Sequence, residues 1–204
     1  MDVLAECRSE SSRHARERLV ALLREHALVL GEITLTSGRT AQYYVDAKRA
    51  ILLPQAFGAL GVLLAEQARA CGADAVGGVP VSAIPVACAA LASPEPVGKV
   101  FIVRAQRKPH GLQRWIEGPA LEPGERCLIV EDVVTTGGST IEALQRVRDE
   151  GLTVAGVLSV LDRLAGGGEA IQTALGDDAR YVALTTIDEI HPDRPDRRSG
   201  RAAA

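Results

Sequence analysis

The chain has 204 residues, 47% of them hydrophobic, enough to bury the core of one ordinary domain with a small appended subdomain. A formal net charge of −3 excludes any global attraction for nucleic acid or acidic membranes, so a hold on anions must be local. Aromatic residues, at 3%, are too few for a platform that stacks single-stranded nucleic acid.

Residues 1–18 are polar and charged, without the apolar stretch of a secretory signal, and no window reaches an uncharged membrane span. Residues 11–28 place Leu19, Leu22, Leu23 and Leu28 on one stripe, which predicts an amphipathic helix. Two extended stretches, 32–36 and 43–47, flank Ser37-Gly38 and predict a hairpin-like cap. Pro54 opens a helix that runs to about residue 70, with Gly72 as its stop.

Strands and helices then alternate. A short strand at 73–78 precedes a small-residue helix at 84–92, and two strands follow at 100–103 and 127–130. A helix at 139–150 turns Ile141, Leu144 and Val147 inward. A strand at 154–161, a short helix at 169–175 and a last strand at 181–187 complete the series. Continuous apolar runs separated by helices predict a parallel sheet covered on both faces, so the class is α/β, doubly wound.

Residues 191–204, rich in Pro, Arg, Asp and Ala, are expected to be disordered, and His14, His26 and His191 to face solvent. Cys7, Cys71, Cys88 and Cys127 are scattered and form no CxxC pair, so zinc ligation is not indicated. They read as free thiols packed as small apolar groups, in keeping with a reducing cytoplasm.

Residues 128–140 read LIVEDVVTTGGST. Apolar residues lead into two acids, Glu131 and Asp132, at the carboxyl end of a strand, where open α/β sheets bind ligands. Thr135, Thr136, Gly137, Gly138 and Ser139 then open a helix. Glycines let backbone N–H groups approach an anion, hydroxyls add donors, and the helix N-terminus adds partial positive charge. No lysine follows the glycines, so this is not a Walker A loop, and it is not GxGxxG. A phosphate site alone has no use for two carboxylates; a ligand with hydroxyls beside a phosphate does. The bland alternative is an acidic strand end before an ordinary capped turn.

The string VEDVVTTGGST resembles the phosphoribosyl pyrophosphate (PRPP) motif of type I phosphoribosyltransferases, in the version carried by orotate phosphoribosyltransferases. The resemblance implies that Glu131 and Asp132 hold the ribose hydroxyls, that residues 135–139 hold the 5′-phosphate, and that Val133 and Val134 complete the PRPP-binding stretch. It assigns Asp132 a catalytic role. It also implies a small N-terminal hood of about residues 1–50 on a single domain spanning 1–190.

Residues 104–114, RAQRKPHGLQR, hold four cations, one histidine and no acid. A solvated basic loop explains them, and so does a lid whose cations stabilise a departing pyrophosphate. The segment resembles the catalytic loop of orotate phosphoribosyltransferases, with Arg104, Lys108, His110 and Gly111 in register. Ala105 stands where the family usually has a second lysine, and Arg107 is a partial replacement. The resemblance makes Arg104, Lys108 and His110 PRPP ligands, Lys108 and His110 catalytic, and the protein a homodimer sharing this loop. Mg²⁺ is the implied cofactor, held mainly through PRPP, with no protein metal site.

Residues 33–49, ITLTSGRTAQYYVDAKR, read as a hairpin with two adjacent tyrosines, which in a strand point to opposite faces. The segment resembles the hood of the same family, which implies that Tyr43 and Tyr44 lie beside the pyrimidine. Thr36 replaces the lysine that many bacterial relatives carry there. Asp162-Arg163 ends another strand; a planar guanidinium suits the orotate carboxylate, so Arg163 is the candidate partner, with Thr135 assisting. A surface salt bridge is the plainer reading of that pair. The stretch at 77–89, GGVPVSAIPVACA, resembles the family's loop near the pyrophosphate, although Pro80 and Ser82 depart from the pattern. The implied activity joins orotate to the ribose 5-phosphate of PRPP in pyrimidine biosynthesis. A type I transferase for another base, and a non-catalytic nucleotide-sensing regulator, remain as alternatives.

Overall fold

The computed structural model describes Cys7 and residues 9–34, 40–106 and 115–199. Helix α1 (Glu10–His26) starts at Ser9, whose hydroxyl accepts from the Ser12 N–H while the Ser12 hydroxyl accepts from the Ser9 N–H. This reciprocal cap satisfies two donors that the first helical turn would leave unpaired. The cap hairpin follows at once: β1 (Leu28–Thr34) pairs antiparallel with β2 (Thr40–Val45). Both strands begin earlier than the periodicity predicts, because Leu28 leaves the helical stripe and pairs with Val45. Residues 35–39, with Thr36, Ser37 and Gly38, lie outside the described residues.

A short helix α2 (Lys48–Ile51), which the sequence reading did not anticipate, leads into α3 (Pro54–Cys71). Pro54 occupies the first turn of α3, and Gly72 ends it with φ 64, a conformation that carries no Cβ penalty in glycine. Next come β3 (Ala75–Gly78), α4 (Ala83–Ala89), β4 (Lys99–Val103) and β5 (Ile116–Glu117). The second half runs β6 (Arg126–Val134), α5 (Gly138–Asp149), β7 (Thr153–Asp162), α6 (Gly167–Leu175) and β8 (Arg180–Thr186). Two short helices, α7 (Ile187–Ile190) and α8 (Pro195–Ser199), close the described chain.

The main sheet has six strands in the order β5-β4-β3-β6-β7-β8, all parallel except β5, which runs antiparallel to β4. The mostly parallel, doubly wound α/β class read from the sequence is therefore the observed one. Leu60, Leu64, Val76, Val130 and Leu158 form a core with α1, α3 and α4 on one face, and Tyr43 and Val45 of the hairpin join it. Phe101, Ile129, Leu144, Ile171 and Tyr181 form a second core under α5 and α6. Strand β6 lies between the two and is buried along nearly its whole length. All four cysteines are free thiols, and burial pushes Cys127 up to about 12, which keeps it protonated. Among the described residues no helix is long and apolar enough to cross a membrane.

Residues 191–199 correct one expectation. They do not form a disordered tail, because Arg194 is 8% exposed and paired with Asp188 and Asp196, which ties the segment to the body. Residues 200–204 lie outside the described residues.

Candidate active site

Strand order reverses between β3 and β6, so the loops leaving their carboxyl ends diverge and open a crevice, the place where such sheets bind ligands. Two loops border it: residues 79–82, which contain a cis peptide between Pro80 and Val81, and residues 135–137. Gly78 lets the first loop approach, since a Cβ there would sit 2.4 Å from the Val130 carbonyl oxygen.

Strand β6 continues past residue 130, where the sequence reading ended it, and carries Glu131 and Asp132 as buried strand residues, 8% and 7% exposed. Successive strand residues face opposite sides. Glu131 turns towards α5, where its Oε2 accepts from the Ser139 hydroxyl at 3.1 Å and the Thr140 hydroxyl at 3.4 Å. Asp132 lies instead beside Lys48, whose Nζ is 3.9 Å from Asp132 Oδ2 and 2.7 Å from Asp46 Oδ1. Burial and the Asp132 charge push the Glu131 carboxyl up to about 7. Burial also raises Asp132, against the Val133 N–H and the Lys48 ammonium, which favour its charged form. The end of β6 therefore holds two adjacent buried carboxyl groups, both raised above the usual carboxylate range by burial. Such a pair can accept from ligand hydroxyls or flank a ligand-held cation.

The cradle follows directly. Gly137 adopts φ 79 and caps α5 without a side-chain bond, leaving the first N–H groups of that helix open to an anion. A Cβ on Gly137 would lie 2.9 Å from the Gly167 carbonyl oxygen, so packing as well as φ demands glycine. Thr135, Thr136, Gly138 and Ser139 are exposed; Val134 is buried and Val133 partly so. Ser139, expected as an anion donor, spends its hydroxyl proton on Glu131, which joins cradle and acid pair.

On the far side of β6, the Arg163 N–H donates to the Val134 carbonyl at 2.9 Å and brings the β7 end beside the cradle. Asp162 is buried, accepting from the Tyr181 hydroxyl at 2.8 Å and the Leu164 N–H at 2.7 Å. It fixes the turn, and Arg163 projects from it. The Arg163 guanidinium lies 5.3 Å from the Tyr43 ring centroid and donates to the Tyr43 hydroxyl at 3.3 Å. Tyr43 is 5% exposed and Tyr44 is 40% exposed, pointing the other way, so only Tyr43 meets Arg163. His191 faces Tyr43 edge-on with ring centroids 5.1 Å apart, which corrects the expectation that it faces solvent.

Arg104 stands at the stem of the basic loop, donating to Glu117 Oε1 at 2.6 Å and to the Gln106 carbonyl at 3.0 Å. Its N–H donates to the Trp115 carbonyl at 2.8 Å, so the two ends of the loop meet there. In this structure its guanidinium is engaged locally. Lys108 and His110 lie outside the described residues. The sequence reading missed Lys48, His191 and Asp196 as neighbours of the site. Lys48 follows the two tyrosines in the string YYVDAKR, whereas nothing local marks the other two.

Buried acids beside an anion cradle at the switch point are the marks of a class that handles ribose phosphates. In agreement, residues 65–177 match the family of the phosphoribosyl transferase domain. The orotate phosphoribosyltransferase of Corynebacterium glutamicum is 44% identical over 157 residues, 77% of this chain and 85% of that one. The orotate phosphoribosyltransferase of Sorangium cellulosum is 38% identical over 192 residues, 92% of this chain and 98% of that one. The crystal structure of the Mycobacterium tuberculosis orotate phosphoribosyltransferase in complex with PRPP matches at a TM-score of 0.73 and 35% identity, covering 86% of this chain and 98% of that one. The chain belongs to the orotate phosphoribosyltransferase family and has the type I phosphoribosyltransferase fold.

Proposed function

We propose that this chain transfers the 5-phosphoribosyl group of PRPP to orotate, giving orotidine 5′-monophosphate and pyrophosphate in pyrimidine biosynthesis. The observation that carries the reading is the join at the end of β6: the buried acid pair leads straight into the open N-terminus of α5, and the Arg163 N–H on the Val134 carbonyl sets the Arg163–Tyr43 contact beside that cradle. Glu131 and Asp132 accept from the ribose hydroxyls, and Asp132 is the one facing Lys48. Residues 135–139 hold the 5′-phosphate, with Val133 and Val134 leading into them. Arg163 receives the orotate carboxylate, with Thr135 assisting, and the Tyr43 and Tyr44 segment borders the ring.

Displacement at an anomeric carbon places positive charge on the ribose and negative charge on the departing pyrophosphate. Lys108, His110 and Arg104 stabilise the latter, with the loop reaching from a neighbouring subunit of a homodimer. For that role Arg104 exchanges Glu117 for a phosphate oxygen. Mg²⁺ fits the donor set: Glu131 and Asp132 are adjacent buried carboxyl groups, oxygen donors of the kind this cation takes. It would be held mainly through PRPP oxygens, with Glu131 or Asp132 nearby, and when bound it neutralises charge on the leaving pyrophosphate. We place residues 1–190 in one domain, with its hood at about 1–50, acting in the cytoplasm.

Loss of orotate absorbance by purified protein, dependent on both PRPP and Mg²⁺, is the expected result. Turnover of uracil, adenine, guanine or hypoxanthine with silence on orotate would keep the fold and reject the substrate.

A further inference from the structure

The segment after β8 reaches back over the hood. Arg194 is buried between Asp188 and Asp196, its Nε 3.0 Å from Asp196 Oδ1, and Arg197 Nε lies 3.3 Å from Asp188 Oδ2. The pinned Asp196 then accepts from the Tyr43 hydroxyl at 2.9 Å through Oδ2. A phenol has one proton to donate. With that proton committed to Asp196, the oxygen turns a lone pair towards Arg163 Nη2, 3.3 Å away. Burial raises the Tyr43 hydroxyl, so it remains a donor at neutral pH.

Arg163 thus makes two contacts with the one side chain, its cation with the Tyr43 ring and one N–H with the Tyr43 oxygen. Among the described residues no carboxylate pairs with Arg163, and most of its five N–H donors stay available to a planar anion. Asp196 does not itself neutralise Arg163, since its own charge is met by Arg194.

Resting on the function proposed above, we infer that Asp196 is a positioning residue for the base subsite: acting through Tyr43, it sets Arg163 for the carboxylate of the incoming base, and residues 191–197 wall that subsite. Without the Asp196 acceptor the Tyr43 hydroxyl rotates freely, its lone pair leaves Arg163, and the guanidinium samples other rotamers. The consequence falls on the base and not on PRPP.

The test compares full-length wild type with Asp196→Ala, Asp196→Asn, Tyr43→Phe and the Asp196→Ala/Tyr43→Phe double variant, varying orotate and PRPP separately. Asp196→Ala is expected to raise KM for orotate about fivefold, the worth of one hydrogen bond, with kcat and KM for PRPP nearly unchanged. Asp196→Asn, whose amide oxygen still accepts, should restore most of the loss. The double variant should be no worse than Tyr43→Phe alone. If Asp196→Ala fails to fold, Asp196→Asn and Tyr43→Phe decide: a near-normal KM for orotate in the first and a raised one in the second support the inference. An unchanged KM for orotate in Asp196→Ala, a parallel rise in both KM values, or additive losses in the double variant would overturn it. Wild-type protein inert towards orotate would instead sink the function reading, and this inference with it.

Discussion

The two halves proposed for the site, one for the phosphate and one for the base, are built in opposite ways. The phosphate half is local: residues 131–139 supply both acids, the Gly137 turn and the α5 N-terminus from one strand-to-helix passage. The base half is assembled from Tyr43 of the hairpin, Arg163 after β7, and His191 and Asp196 beyond β8. A local site keeps its geometry wherever the strand and helix pack correctly. An assembled one depends on the docking of separate segments and is correspondingly easier to retune. Substitutions should therefore be most damaging to chemistry in the first half and most selective for the base in the second.

The largest expected effect tests the first half of that contrast. Asp132→Asn keeps size and removes the charge that faces Lys48, and kcat/KM should fall by roughly 100-fold or more, the usual loss for a preorganised electrostatic group. Steady-state rates with both substrates check it, and a loss below threefold would remove Asp132 from the chemistry. Next in size comes Arg163→Ala. Loss of a charge-assisted contact to a carboxylate should raise KM for orotate by roughly 10- to 100-fold, with a smaller change in kcat. If orotate saturation is unaffected, the carboxylate partner lies elsewhere and the contrast between the halves fails.

The same difference decides what could be read in advance. The phosphate half is legible because its residues adjoin in sequence and their types, acids then hydroxyls and glycines, state their chemistry. Strand alternation and apolar runs likewise give the parallel sheet and most of its helices. Lys48, at the start of α2, meets Asp132 only in the folded chain, across 84 positions (132 − 48), and no periodicity encodes that contact. The tail departs from its expected disorder for a related reason. A segment of Pro, Arg and Asp lacks apolar residues, yet Arg194 is buried because Asp188 and Asp196 neutralise it, an ion-pair arrangement composition does not reveal. The apolar run predicts an end to β6 at residue 130, yet the strand carries two buried acids further, against the usual rarity of acids in buried strands.

A smaller effect should follow at Gly137, where the phosphate half rests on backbone shape. Ala there must adopt φ 79 and bring its Cβ to 2.9 Å from the Gly167 carbonyl oxygen. The strain is about 1–3 kcal/mol, which lowers Tm by roughly 2–4 °C per kcal/mol in a chain of this size. Calorimetry gives the Tm, and KM for PRPP should rise while KM for orotate moves less. Equal rises in both would show that the two halves are mechanically one.

The smallest effect concerns pH and isolates Glu131. Its carboxyl ordinarily titrates near 4.5 but is pushed up to about 7 in the folded chain by burial and the Asp132 charge. Between those values the folded chain keeps a proton that the unfolded chain has released, so folding takes up a proton there. This contribution to stability is fully present below about 4.5 and is lost as pH rises through about 7. Asp132, raised by burial as well, adds in the same direction. Unliganded wild type should therefore lose roughly 5 °C of Tm between pH 5 and 8 relative to Glu131→Gln, which still accepts from Ser139 but does not titrate. Because only the difference between the two proteins is compared, titration elsewhere in the chain largely cancels. Parallel Tm curves would mean that Glu131 is charged throughout. The acid pair would then be held by its neighbours as two full carboxylates, and the phosphate half would carry more negative charge before ligand binds than its burial implies.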